Sequence, residues 1–296
     1  MARHNIIFGR DDAVRQGSPA PVSANTQWSS SFDTQADPYG RTAAPGQSAD
    51  SLEAMYARPA ATSHDTGRMS MRDALNSITA TLAIVLVIGS FVALTPVVLG
   101  VVAGEQGKTI GLALGGIATI VGALGGLILG LVNSFKRNPS AVLVLAYAVF
   151  EGLLLGGLSG AFESIYPGIA LQAVVATFAV AGVVLVLTQL GVLRTSPALT
   201  KVFLYATLAY LAFSLFNLVY VLATGGSLRT GMIGMAIGAL AVVMASYSLV
   251  MDIEDVKRAV NTGAPRNYAW RCAFGVTVTL VWMYVEILRI LAIFRD

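Results

Sequence analysis

Three carboxylates stand in stretches otherwise made for lipid. Glu151 sits in Tyr147-Ala-Val-Phe-Glu151-Gly-Leu-Leu-Leu-Gly-Gly, Asp252 closes Ser248-Leu-Val-Met-Asp252, and Glu286 lies in Trp282-Met-Tyr-Val-Glu286-Ile-Leu-Arg289. A charged side chain at bilayer depth costs at least about 2.5 kcal/mol, so each should face protein or water and have a partner. The chemistry open to such groups is proton exchange and oxygen coordination of a hard cation such as calcium. Arg289, three residues after Glu286, is a local ion-pair candidate that would make that acid structural. Counted along helices at about 1.5 Å per residue, Glu151 lies roughly 15 Å into the membrane and Glu286 roughly 21 Å. Depth thus favours Glu151 and Glu286 as a pair, titrating together in low dielectric, with Asp252 nearer the surface.

The remaining inventory narrows the chemistry. The two histidines, His4 and His64, precede the first apolar run, and the single cysteine, Cys272, lies at the mouth of the last. Zinc, copper and haem sites within the membrane are therefore not expected, and no cofactor is. Gly157-Leu158-Ser159-Gly160 matches the serine element of intramembrane serine proteases, but no span carries a histidine base. All four lysines, Lys108, Lys136, Lys201 and Lys257, lie in loops or at span ends, which removes a Schiff base. A pair of buried aspartates for an aspartyl protease is missing as well. The chain does not read as an enzyme. Of the other acids, Glu254 and Asp255 read as a hydrated helix end near Lys257 and Arg258, and Glu163 as interfacial.

These residues need helices across a bilayer to hold them. The chain has 296 residues, 55% of them hydrophobic and 12% charged, with mean hydropathy +0.71. Soluble domains carry about twice that share of charge, about 25%. The sequence predicts an all-α integral membrane protein with the lipid bilayer as its main partner. Seven apolar runs, at 76–102, 110–132, 141–163, 168–190, 200–223, 231–253 and 272–294, are each long enough to span. Breakers separate them, among them Gly104 to Gly107, Asn133 to Pro139, Gly225-Gly226 and Asn261 to Pro265. Pro96, inside the first run, is expected to kink or end its regular part. Residues 1–73, rich in Ser, Ala, Pro and Gln, are predicted to be a disordered cytoplasmic tail. The first long apolar run, starting near Ile78, is too far in and too long for a signal peptide.

Eleven basic residues flank the spans on the N-terminal side, including Arg58, Arg68, Arg72, Lys136, Arg137, Lys257, Arg258, Arg266 and Arg271, against at most four on the other. That bias places the N-terminus in the cytoplasm, and it accounts for the net charge of +3 without a nucleic-acid surface. Glycines are dense in the second run and recur as Gly152, Gly156 and Gly160 in the third, a spacing that lets helix backbones approach closely. In the last run, Gly275, Thr279, Trp282, Glu286 and Arg289 fall on one helical stripe, with Phe274, Val278, Val281 and Leu288 off it. That stripe should face the other spans, with the seventh helix central in the bundle.

Three segments together are similar to the Bax inhibitor-1 family, the transmembrane Bax inhibitor motif proteins, in its bacterial branch. They are Ser248-Leu-Val-Met-Asp252-Ile-Glu254, Asn261-Thr-Gly263-Ala-Pro-Arg-Asn-Tyr268-Ala-Trp270, and Trp282-Met-Tyr-Val-Glu286-Ile-Leu-Arg-Ile-Leu. Phe150-Glu151-Gly152-Leu153 fits the family's Gly-Leu-rich early segment. The resemblance covers about residues 74–296 and leaves the tail outside. It implies a pH-sensitive calcium or proton leak of the plasma (inner) membrane, in which Asp252 and Glu286 take the roles of a carboxylate pair that shares protons or binds calcium. Two departures stand out: the seventh-span acid is Glu rather than Asp, and it lies about two helical turns farther along than the family's spacing. The resemblance also implies a second class of function, a non-conducting stress-response regulator that binds a membrane-anchored quality-control protease, with the tail as its handle. A solute transporter ranks third, for want of a visible inverted repeat.

Overall fold

The computed structural model describes residues 67–136 and 138–295, and the chain divides after Arg68 into two units, of which Met69–Asp296 holds the helices. The tail expected to be disordered lies, up to residue 66, outside the described residues. Its last part differs from expectation. Ser70 caps a helix that starts at Met71, its hydroxyl accepting from the Asp73 backbone N–H while the Asp73 carboxylate accepts from the Ser70 N–H. This reciprocal cap satisfies two donors that a helix start otherwise leaves bare.

Six helices follow among the described residues: α1 Met71–Phe135, α2 Ala141–Ile165, α3 Ile169–Gln189, α4 Pro197–Thr224, α5 Gly231–Asn261 and α6 Tyr268–Arg295. Each is long and apolar enough to cross a membrane. The first two apolar runs are joined in α1, which spans 65 residues but loses helical geometry at Ala103 (φ −125°, ψ 15°) and Gly104 (φ 62°, ψ −149°). The Gly104 conformation is open to glycine and strained for any other residue. Beyond it the chain doubles back. A Cβ on Gly107 would lie 2.0 Å from the Leu99 carbonyl oxygen, and one on Gly111 would lie 2.5 Å from the Pro96 Cα. Helical dihedrals continue through Pro96, so the expected break falls instead at Ala103-Gly104, where the glycine tolerates the turn.

The other helices follow the apolar runs closely, with two informative extensions. α5 continues to Asn261, eight residues past the apolar run, and α6 begins at Tyr268, four residues before it. Polar ends extend these helices because their backbone hydrogen bonds close within the helix whatever the side chains are. The linker between them is fastened to the start of α1: the Met69 N–H donates to the Ala264 carbonyl at 2.7 Å, and Arg266 pairs with Asp73 at 3.1 Å.

The glycines of α1 and α2 meet at backbone distance. A Cβ on Gly157 would sit 2.1 Å from the Gly115 carbonyl oxygen, and one on Gly156 would sit 2.6 Å from that of Gly89. Here the small residues serve close helix packing. α6 packs against α1, α2, α3 and α5. Leu288 and Met283 are fully buried, and Val278 and Phe294 are its only large apolar residues that count as exposed. The predicted stripe does face protein, but so does most of the rest of the helix. Leu288, placed off the stripe by the helical wheel, is buried because neighbours surround α6 on several sides. α4 is the opposite case: it has no buried residue.

Candidate functional site

Glu286 is 2% exposed and holds the centre of a polar cluster. Its Oε2 accepts from Arg229 at 2.8 Å and from Arg289 at 3.0 Å. Its Oε1 accepts from Arg289 at 3.2 Å and from the Tyr210 hydroxyl. Arg229 also donates to the Tyr210 hydroxyl at 2.8 Å, with its guanidinium 5.2 Å from the centre of the Tyr210 ring. The Tyr210 ring in turn packs on Trp282, centroids 5.5 Å apart. Side chains from α4 and α6 and from the α4–α5 loop thus converge on one carboxylate.

Local sequence explains how Arg229 reaches inward. α4 ends at Gly225 in the left-handed region (φ 72°), and Asn217, two turns earlier, accepts from the Leu228 N–H at 2.9 Å. The loop is thereby folded onto α4. A Cβ on Gly234 would lie 2.4 Å from the Arg229 carbonyl oxygen, so the glycine at that point lets α5 start directly behind the arginine.

Asp252 has different company. It accepts from the Thr279 hydroxyl at 2.6 Å, and Thr279 also meets Ser248 at 3.1 Å. A Cβ on Gly275 would lie 3.0 Å from Asp252 Oδ1, so this glycine admits the carboxylate against α6. Glu151 is 7% exposed and lies against α1, its Oε1 3.0 Å from where a Gly126 Cβ would be. Its Oε2 has no hydrogen-bond partner. Among the described residues neither acid has an ion-pair partner, whereas Glu286 has two.

The structure does not bring the three carboxylates into one contact. Asp252 meets α6 at Thr279, seven residues before Glu286, which is about 10 Å along the helix. Their separation matches the two-turn excess in sequence spacing. The depth pairing of Glu151 with Glu286 is also not what is found. α2 and α6 run parallel, held by the Tyr147–Phe274 rings at 4.9 Å and the Ser159–Tyr284 hydroxyls at 2.7 Å. Interpolating between those contacts sets Glu151 level with about residue 277, near the level at which Asp252 meets Thr279 and roughly 13 Å below Glu286. The reason is the early start of α6 at Tyr268, which raises Glu286 relative to α2.

Of the three partners open to Glu286 in the sequence, Arg289 is the one in contact; Arg229 and Tyr210 were missed. Arg229 reads from sequence as a loop cation, and only the loop's inward fold reveals it. Tyr210 left a signal, since Thr207, Tyr210, Ser214 and Asn217 make a polar stripe at helical spacing in an otherwise apolar span. Glu254 accepts from the backbone N–H and hydroxyl of Thr195, fastening the α3–α4 linker, and Asp255 pairs with Arg258 at 2.7 Å. Glu163 caps the turn into α3, accepting from the Gly168 and Ala170 N–H groups. Ser159, from the protease-like motif, bonds Tyr284 as a tie between helices. No group of three or more His, Cys, Asp or Glu side chains that could hold a metal ion occurs among the described residues.

A family model described as Bax inhibitor 1 like matches residues 18–296. The match takes in residues 18–73, which the motif resemblance left outside. No curated protein and no solved structure matches the chain.

Proposed function

The chain belongs to the Bax inhibitor 1-like family, and from that premise we propose that it is a pH-sensitive leak for calcium or protons. Its cation-attracting level is formed by Asp252 and Glu151, and Glu286 closes the path. We count the two halves of α1 as separate crossings, which gives seven spans with α6 as the seventh. The positive-inside bias supports a cytoplasmic N-terminus, and the reading places the chain in the plasma membrane.

The observation that carries this reading is the contrast in partners. Asp252 and Glu151 share a level and lack a basic partner among the described residues, so each presents an uncompensated negative charge when ionised. Glu286 is neutralised twice over by Arg229 and Arg289 and is a poor cation ligand while they hold it. Ionised acids at the Asp252 level attract cations, and their protonation removes that attraction. Cation flux therefore rises with pH. Opening at the Glu286 level requires α4 to carry Tyr210 away, and α4 is the helix with least burial to lose.

The test is calcium entry into proteoliposomes across a pH series. Asp252→Asn should flatten the pH dependence while the protein stays folded. Unchanged flux with an unchanged pH response in that variant would sink the proposal. A protein that conducts nothing, yet loses capture of a membrane-anchored protease when residues 1–66 are deleted, would point to the regulator class instead.

A further inference from the structure

A cleft of about 530 Å3 opens between the first half of α1 and α3, with α2 and α6 as its floor. Among the described residues α1 and α3 do not pack on each other, so the cleft faces sideways, which in a bilayer is toward lipid. Its rim is exposed, Leu94 of α1 at 55% and Leu171 of α3 at 70%, whereas Leu155 and Leu280 on its floor are each 9% exposed. The lining runs from Leu155 to Glu163 on α2 and from Ala170 to Phe178 on α3, about 12 Å along each helix. One leaflet of a bilayer's hydrocarbon core is about 15 Å deep. Leu155 lies ten residues, about 15 Å, before the end of α2, which sets the floor near mid-membrane and the mouth at the α2–α3 turn. The cleft is one leaflet long.

The buried hydroxyls of the lining are already engaged. Ser159 donates to the Leu155 carbonyl and meets the Tyr284 hydroxyl at 2.7 Å, and Thr177 donates to the Ala173 carbonyl at 2.7 Å. Such a surface suits an apolar guest. Width decides which one. A helix of a second copy, about 10 Å across, would fill roughly 900 Å3 over the same 12 Å, well beyond the volume of the cleft. An acyl chain is thin enough to enter. Among the described residues lining the cleft one is charged, Glu163 at the mouth, whose carboxylate accepts from the Gly168 and Ala170 N–H groups and has lone pairs to spare. A carboxylate there attracts a head group that carries an ammonium and repels an anionic one. We infer that the cleft binds one acyl chain of an aminophospholipid such as phosphatidylethanolamine, from the leaflet on the side of the α2–α3 turn, with its ammonium at Glu163. The chain fills the space in which α1 and α3 make no contact of their own, and it lies against the Ser159–Tyr284 tie. None of Glu151, Asp252 and Glu286 lines the cleft, and its occupancy is independent of whether the chain conducts cations.

The test is photolabelling of the full chain in proteoliposomes, with a trace of phosphatidylethanolamine bearing a diazirine near the end of one chain. Mass spectrometry then locates the label residue by residue. Leu155 and Leu280 on the floor should be labelled, and the equally buried Leu249 and Ile287, which lie outside the cleft, should not be. Ala93→Phe/Val174→Phe, which fills the cleft from both walls, should lose the floor labelling and keep that of Leu208 on the exposed face of α4. A phosphatidylglycerol probe with the same tail should label the floor about two- to fivefold less, the range of one exposed ion pair. That comparison uses the unaltered protein and so stays decisive where the filled variant fails to fold. Label confined to Leu94, Leu171 and other lipid-facing positions would overturn the inference. Such a result together with a disulfide between copies in Leu171→Cys would give the cleft to a second copy instead. Floor labelling that persists in the filled variant would overturn the assignment to the cleft, and equal labelling by the two probes would overturn the assignment of the head group to Glu163.

Discussion

Two levels of α6 handle the same problem in opposite ways. In its first half, Thr279 offers Asp252 one hydroxyl, and Gly275 makes room for it. Seven residues on, Glu286 is enclosed by two arginines and a tyrosine. Both carboxylates lie in apolar helices, so burial alone does not distinguish them. Their partners do. A carboxylate held by arginines contributes to holding elements together, and its loss leaves unpaired charge behind. A carboxylate held by a single neutral donor keeps most of its freedom to exchange a proton or meet a cation. If the proposed leak is right, the structural and the responsive acid are told apart by the chemistry around them.

That contrast breaks first, and with largest effect, at Glu286. Glu286→Gln leaves two arginines without their carboxylate and should cost about 3–5 kcal/mol of unfolding free energy in detergent. Asp252→Asn should cost less, at most about 1.5–3 kcal/mol, the value of one hydrogen bond to a charged group. Equal losses in the two variants would erase the distinction. Coupling sharpens the same point: Glu286→Gln and Arg229→Gln should be non-additive by at least about 1 kcal/mol in a double-mutant cycle, whereas Glu286→Gln and Asp252→Asn should add.

In the flux assay, Tyr210→Phe removes the hydroxyl that bonds both Glu286 and Arg229, a loss of at least about 1 kcal/mol. Calcium leak should rise about fivefold in that variant, with its pH dependence retained. A leak unchanged by Tyr210→Phe would mean that α4 is not what closes the path. The smallest effect is expected at the Ser159–Tyr284 tie, whose hydroxyls bond neither acid. Ser159→Ala should lower stability by about 1 kcal/mol or less and leave the pH response as it was.

The legible part of the site is the stripe on α6. Thr279, Trp282, Glu286 and Arg289 all take part in polar or ring contacts on the side facing α4 and α5. A carboxylate and a tryptophan at helical spacing in an apolar run mark a protein-facing side without any knowledge of the neighbours. The unread part is Arg229. Its identity and its loop position are plain, but nothing in a linear count of basic residues says that a loop cation turns back into the bundle. Depth failed for a related reason: apolar runs give lengths but not the offset of one helix against another, and a start four residues earlier moved Glu286 away from Glu151.

By itself, the sequence determined that the chain is helical and bilayer-embedded, and that three acids in it require explanation. Those conclusions follow from transfer free energies, which depend on residue type and run length alone. Tertiary structure decided which acid is neutralised, which level Glu151 shares, and that the first two runs fold back at Gly104. These depend on side chains distant in sequence meeting at atomic range, where a few ångströms separate an ion pair from an unpartnered charge.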